Sequence, residues 1–313
     1  APLDRDRLWA KSWLMACREE ELASVGAVVV FDIADQSIIV ARSASDTINA
    51  FHNACPHRGR RILTSAGKVQ KIHCPFHGWQ WNLQGENIRV LDEHDWDGCG
   101  GLAGKDVPLA QVRVGRWAGF VFISLDPHGQ SFEEFIKPAP ERLDCLRLDR
   151  MRYAWRKTVQ LKANWKVAQG AFMESYHVLA VHPQLLPVVD ERNIGYARGQ
   201  HGCHHYLYER PLGAPSRRLN RPVPDDLRQG YSDFIGALGS QLDGDGQLNG
   251  QISRRSVDAA QAAIAKLPEG LSAIEVQTAA MVAMMEAAEA ERALWPHVTP
   301  EQYEKAGGDW NLF

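Results

Sequence analysis

Cys55-Pro56-His57-Arg58-Gly59 and Cys74-Pro75-Phe76-His77-Gly78-Trp79 decide how this chain is read, with sixteen residues between His57 and Cys74. Each loop offers one cysteine and one histidine, in a C-x-H…C-x-x-H arrangement. Two thiolates and two imidazoles make a four-ligand metal site the first expectation. Zinc takes Cys₂His₂ as a closed tetrahedron, and ligand identity alone leaves it open. A [2Fe–2S] cluster takes the same side chains, both cysteines on one iron and both histidines on the other. The flanks favour the cluster. Gly59 and Gly78 let backbone approach a bulky inorganic core, and Pro56 and Pro75 stiffen the loops. Arg58 and Trp79 are odd neighbours for a zinc ribbon.

Around these loops the chain reads as short β-branched runs separated by Gly, Asp and Ser. Ala27–Phe31, Ser37–Ala41, Ile48–Phe51, Lys68–His73, Gln80–Leu83, Val112–Val114 and Phe120–Ser124 predict an antiparallel β domain that ends at Asp126-Pro127. Glu19-Glu20-Glu21 predicts a short helical turn, and the Asp- and Gly-rich residues 92–106, with His94 and Cys99, a surface loop.

The second half changes character. Tyr153, Trp155, Val159 and Leu161 fall on one side of an alternating pattern and predict a strand with one buried face. A helix is expected from Trp165, with Trp165, Ala168, Phe172 and Leu179 facing the core. Its other side gathers Gly170, Met173, Glu174 and His177, and Glu174 lies three residues before His177. His182 precedes Pro183, which pushes it out of helical geometry, so it is expected to swing toward His177. Two histidines beside a carboxylate fit a non-haem iron site with open positions. An H-x₄-H pair by itself fits helix-end surface histidines equally well.

Both segments resemble one family. The loops match the C-x-H-R-G…C-x-x-H-G-W of Rieske oxygenases. Asn164-Trp165-Lys166, Glu174-Ser175-Tyr176-His177 and His182-Pro183 resemble the Asn-Trp-Lys…(Asp/Glu)-x-Tyr-His-x₄-His-Pro signature of their alpha (large, catalytic) subunits. Respiratory-chain Rieske proteins carry an extra cysteine in each loop, where this chain has Arg60 and Phe76, so the resemblance is to the oxygenase or ferredoxin type.

The resemblance implies an α+β chain. Residues 1–128 would form an all-β Rieske [2Fe–2S] domain, and 129–313 an incomplete helix-grip (START/SRPBCC-like) catalytic domain. Cys55, His57, Cys74 and His77 would hold the cluster, and His177 and His182 a mononuclear Fe(II). Glu174 stands where the family usually has an aspartate bridging the iron site to a cluster histidine of the neighbouring subunit. The glutamate form occurs in branches that include oxidisers of quaternary amines. The third iron ligand is expected to be a carboxylate beyond residue 313, on a chain that looks truncated; Asp309, in Gly307-Gly308-Asp309, does not look like a helix interior.

By resemblance the activity is that of a terminal ring-hydroxylating dioxygenase or monooxygenase. It would use O2 and electrons from an NAD(P)H-dependent reductase, directly or through a ferredoxin. An aromatic substrate is the first expectation. N-demethylation or hydroxylation of an amine or quaternary ammonium compound is the second, and a Rieske electron carrier without oxygenase activity the alternative of another class. A homotrimer, with or without a beta subunit, is implied. Arg58, Arg60 and Arg61 are candidates for docking an acidic redox partner.

The totals agree with this. The 313 residues suffice for two ordinary domains, and 45% hydrophobic and 23% charged residues are globular averages. A net charge of −3 argues against a general nucleic-acid or anionic-membrane binder. The six cysteines show no disulfide framework, no apolar run nears the length of a membrane span, and a cytoplasmic location is expected. His201, His204 and His205 are expected on a strand from Tyr196 to Glu209, residues 211–250 as an irregular excursion, and helices at 255–266 and 272–293. Met281, Met284 and Met285 are expected to pack in the last of these.

Overall fold

The computed structural model describes residues 2–102, 107–153, 156, 158–207, 209–239, 252–299 and 301–302, the side chain of His205 excepted. Trp155, Asp309 and residues 240–251 lie outside the described residues. The chain falls into two compact units, residues 1–140 with 148–150, and residues 141–147 with 151–313. The first unit reaches past residue 128 for a packing reason. Ser131 caps the helical turn Phe132–Phe135, and Phe132 sets its ring 5.1 Å from those of both Trp13 and Phe122.

The first unit is built on strands β1 (Trp13–Arg18), β2 (Ala27–Ile33), β3 (Gln36–Arg42), β4 (Ile48–His52), β5 (Gly67–Lys68), β6 (Ile72–His73), β7 (Gln80–Trp81), β8 (Asn87–Arg89), β9 (Gln111–Trp117) and β10 (Phe120–Ser124). Seven of them form one antiparallel sheet in the order β1-β10-β9-β4-β3-β2-β5, and β6-β7-β8 form a second. Six of the seven predicted runs carry strands, as their composition predicts, whereas Lys68–His73 is divided between β5 and β6 of different sheets. The run Trp13–Arg18, which the sequence reading left without a strand, pairs with β10 at the sheet edge. Glu19–Leu22 is the expected short turn, of 3₁₀ type.

Alternation along β2 and β3 feeds two cores. Val29, Ile38 and Val40 belong to one, whereas Val28, Ile39 and Ala41 belong to another that also contains Cys55, Cys74, Trp79 and Trp81. Ile38, Ile39, Val40 and Ala41 are all fully buried, so β3 is covered on both faces.

The second unit contains a hairpin, β11 (Asn193–Arg198) with β12 (His201–Tyr206), and three packed helices, Arg228–Gly239, Arg254–Ile264 and Ala273–Ala290. Ser253 and Ser272 cap the last two. Four expectations are corrected here. The described residues of 153–161 form no strand, and Tyr153, Val159 and Leu161 are exposed, so the alternation marks no buried face. The strand expected from Tyr196 to Glu209 is a hairpin that turns at Gly199, where φ is +60°.

The stretch 211–250 contains a twelve-residue helix, Arg228–Gly239. Two of its glycines are close-approach positions: any side chain at Gly230 would strike the Gly213 backbone, and one at Gly239 would strike Val257. Of the three methionines, Met284 is buried in the helical core, whereas Met281 is exposed.

Candidate metal centres

The two loops of the first centre close in the same way. The amide of Cys55 donates to the Arg60 carbonyl (2.8 Å) and that of Gly59 to the Cys55 carbonyl (2.8 Å). In the second loop Cys74 donates to Trp79 (2.9 Å) and Gly78 to Cys74 (3.1 Å). Each closure needs a left-handed residue, and Gly59 (φ +71°) and Gly78 (φ +74°) supply it. Turn geometry thus requires these glycines independently of any room they leave for a cluster.

The loops bring the four predicted ligands together as two pairs, cysteine beside cysteine and histidine beside histidine. Cys55 and Cys74 are buried free thiols, and the imidazoles of His57 and His77 lie 4.7 Å apart, edge to face. Burial, foremost, and the neighbouring Cys74 sulfur push the Cys55 thiol up. Burial, foremost, with His77 and Arg58, pushes the His57 imidazole down, toward the neutral form a metal requires. Nδ1 of His57 is buried and has no hydrogen-bond partner among the described residues. A buried, unpartnered ring nitrogen beside a second imidazole and two buried thiols suits a metal-bound donor set.

Asn53 and Trp96 went unnoticed in the sequence. Asn53 is buried; its Oδ1 accepts from the amides of Ile62 (3.0 Å) and Leu63 (2.9 Å), and its Nδ2 donates to Leu63 O (2.7 Å) and Ser37 Oγ (3.0 Å). It ties the first loop to the sheet, and its place two residues before Cys55 was the only signal. Trp96 lies in the 3₁₀ run Glu93–Cys99, inside the stretch read as a surface loop, yet packs on the cluster-side core. His94 and Cys99 are exposed there, as expected.

At the second centre the long helix is corrected. Asn164 caps a short helix, Trp165–Gly170, and a second helical turn, Val178–Val181, follows an irregular stretch. The break shifts the phase of the apolar stripe: Phe172 and Leu179 are exposed, and Ser175 and Val178 are buried instead. Met173 packs over Gly195 and Gly202 of the hairpin, where a side chain would collide with it. His182 has φ −126° and ψ 47°, outside the helical region as Pro183 dictates, and its ring lies 5.4 Å from that of His177.

Glu174 Oε1 lies 2.6 Å from His177 Nδ1, while Oε2 accepts from the amides of Tyr176 and His177. These bonds, the histidine's foremost, hold the Glu174 carboxyl below the usual range. Glu174 is therefore placed as an acceptor for His177, leaving the Nε2 edge of that ring to a metal. Among the described residues no three His, Cys, Asp or Glu converge on a single ion at either centre, and no third iron donor is assigned.

The segment is fastened from behind. Asp190 and Glu191, both buried, pair with Arg217 (2.8 Å) and Arg218, and Ser175 Oγ donates to the Glu191 carbonyl. Arg218 also stands over the ring of Tyr176 at 5.9 Å. On β12, Cys203 and His204 are buried, and His204 packs on Tyr206 at 4.9 Å.

Known proteins share this organisation. Residues 12–95 match the family described as Rieske [2Fe-2S] domain, and residues 148–235 the ring hydroxylating alpha subunit (catalytic domain). The chain thus carries a Rieske [2Fe-2S] domain and a ring-hydroxylating alpha-subunit catalytic domain, and its relatives are Rieske oxygenase large subunits. It is similar to the carnitine monooxygenase oxygenase subunit of Escherichia coli K12, 32% identical over 186 residues, covering 58% of this chain and 48% of the relative. It is also similar to the anthranilate 1,2-dioxygenase large subunit of Acinetobacter baylyi, 30% identical over 206 residues, 63% of this chain and 43% of the relative.

Among solved structures, the quaternary ammonium Rieske monooxygenase CntA in complex with L-carnitine superposes with a TM-score of 0.59 at 26% identity, over 66% of this chain and 59% of that one. The chain spans about half the length of the curated relatives it matches. The family match decides the first centre for the [2Fe–2S] cluster over zinc. No described helix is long and apolar enough to cross a membrane.

Proposed function

We propose that this chain is the oxygenase component of a Rieske-type system. It would take electrons from an NAD(P)H-dependent reductase, directly or through a ferredoxin, and oxygenate a small organic substrate. The observation that carries this is the pairing of Glu174 with Nδ1 of His177 beside His182. A pure electron carrier has no use for a second, oriented histidine pair. In this reading Cys55, His57, Cys74 and His77 hold the cluster, and His177 and His182 hold the mononuclear iron. When bound, the two groups supply a one-electron relay and an O2-activating centre with open positions.

The chain's own residues do the rest. Glu174 fixes the ring plane of His177, and as a carboxylate held below its usual range it remains an acceptor at neutral pH. In this reading it would also accept from a cluster histidine of a neighbouring subunit in a head-to-tail homotrimer, with or without a beta subunit. Arg58 and Arg60 are exposed beside the cluster loops and would meet an acidic redox partner, whereas Arg61 is engaged by Asp32 (2.9 Å). Cys17, Cys99, Cys145 and Cys203, left as thiols, suit a reducing compartment, and we place the protein in the cytoplasm.

For the substrate, a quaternary ammonium compound comes first and an aromatic acid second. The glutamate at position 174 and the similarity to carnitine monooxygenase support the first; the similarity to anthranilate dioxygenase supports the second. The test exposes the reduced, iron-loaded protein with a reductase to O2 and L-carnitine, glycine betaine or anthranilate. Product and O2 uptake are read together. Uptake coupled to product from a quaternary amine, lost in His177→Ala, is expected. Absence of substrate-dependent uptake with both centres loaded overturns the proposal.

A further inference from the structure

The two cluster imidazoles have different surroundings. His57 stacks on Trp79, with centroids 4.8 Å apart and planes 10° from parallel, and Trp96 meets the same ring edge to face at 5.9 Å and 81°. The two indoles touch one another at 6.3 Å. His77, by contrast, has Phe76 at 4.0 Å, and that phenyl ring is 58% exposed. Trp79 is buried in the core and follows the second cluster loop directly, so it belongs to the framework. Trp96 belongs to the 3₁₀ run Glu93–Cys99, whose other members are exposed and include Glu93, Asp95 and Asp97. One large apolar side chain in an acidic, solvated run has been turned inward onto a cluster ligand.

We infer that Trp96 is a redox-tuning residue, an indole shutter that keeps water from the His57 side of the cluster and thereby lowers its reduction potential. This rests on the assignment of Cys55, His57, Cys74 and His77 as cluster ligands. The sign follows from charge. With two thiolates and two neutral imidazoles, the oxidised cluster has no net charge. One electron, taken from the reductase or from dithionite, gives a cluster with one negative charge, and no atom enters or leaves. Excluding water disfavours the charged state, here the reduced one. Burial and local dielectric are established levers on iron–sulfur potentials. Opening the shutter should therefore make the cluster easier to reduce.

The test is a redox titration of the cluster-loaded full chain, comparing the unmodified protein with Trp96→Gln, Trp96→Ala and Trp96→Phe. Visible circular dichroism of the oxidised cluster checks that the ligand set is intact. At the unmodified midpoint, the reduced-to-oxidised ratio should rise by about threefold to tenfold in the Gln and Ala variants; tenfold is about 59 mV for a one-electron couple. Trp96→Phe, which keeps an apolar ring, should stay near the original value.

A second readout does not depend on reduction energetics. Electron-spin-echo detection of deuterons near the reduced cluster in D2O should strengthen in Gln and Ala and remain unchanged in Phe. If Ala fails to load, Gln and Phe still decide the matter. Equal potentials in Gln and Phe, a fall in potential in Gln, or unchanged deuteron coupling overturns the inference. Failure of the unmodified chain to assemble a cluster would instead overturn the ligand assignment on which it rests.

Discussion

The two candidate centres are supported in opposite ways. At the first, one loop lies between β4 and β5 of the seven-stranded sheet and the other between β6 and β7 of the three-stranded sheet, both cysteines are part of a core, and Asn53 fastens the first loop with four hydrogen bonds. At the second, His177 and His182 bracket a single helical turn, Val178–Val181, and Phe172, Tyr176 and Val181 around them are all at least 60% exposed. What holds that segment is polar: Glu174 on His177, Ser175 on Glu191, and the Asp190–Arg217 and Glu191–Arg218 pairs. The lesson is that a cluster site can be fixed by apolar burial, whereas this histidine pair depends on charge pairing for its place. Apolar burial is not screened by salt, and charge pairing is weakened by it where solvent reaches.

The largest effect should come from the first centre. Asn53→Ala leaves the amides of Ile62 and Leu63 without their acceptor in a buried place, at a cost of about 2–4 kcal/mol in unfolding by denaturant. A loss below about 1 kcal/mol would show the anchor to be dispensable and weaken the contrast.

Arg218→Ala should rank second. It strands the buried Glu191 carboxylate, although the arginine itself is 36% exposed, so roughly 1–3 kcal/mol is expected. Its mark should be local: Fe(II) stoichiometry at the second centre should fall while the cluster spectrum stays. Equal damage to both spectra would break the comparison.

Gly78→Ala should follow, at roughly 1–2 kcal/mol, because alanine must adopt φ near +74° to close the loop. The pair of equivalent closures sharpens this: Gly59→Ala should cost a similar amount, and a large difference would mean that one loop is held by something else.

The smallest effect concerns acid. Asp226 bonds the Arg228 side chain and amide at the start of the helix Arg228–Gly239, which lowers its carboxyl to about 2. A depressed carboxyl contributes stability above its unfolded value and loses it as pH falls toward the folded one. The difference in melting temperature between the unmodified chain and Asp226→Asn should therefore shrink between about pH 4 and pH 2. A difference that stays constant through this window would deny the charge its role.

Much of this was legible because it is local. Ligand spacing pointed to both candidate centres, β-branched runs marked most strands of the first unit though not β1 or β8, and Pro183 alone foretold the exit of His182 from the helix. What escaped was set by partners distant in sequence. Trp96 looked like a loop residue because Asp and Gly surround it, and only the fold brings it to His57. The helix Arg228–Gly239 was hidden in a stretch read as irregular because Gly230 and Gly239 accommodate the Gly213 backbone and Val257, which are not next to them in the chain. The apolar stripe beyond Gly170 misled because a helical period holds only while the helix continues, and here it stops.

Strand β3 has a consequence for how the first unit comes apart. Its successive residues belong alternately to the two cores, and Ile38 through Ala41 are wholly buried. Neither core can open without uncovering one face of the same strand, so the two should melt as one cooperative block. Its amides should be among the last to exchange with deuterium, at the free energy of global unfolding. Protection at Ile38 and Val40, which face away from the cysteines, then becomes a distant reporter of whether the cysteine-bearing core on the other side is intact.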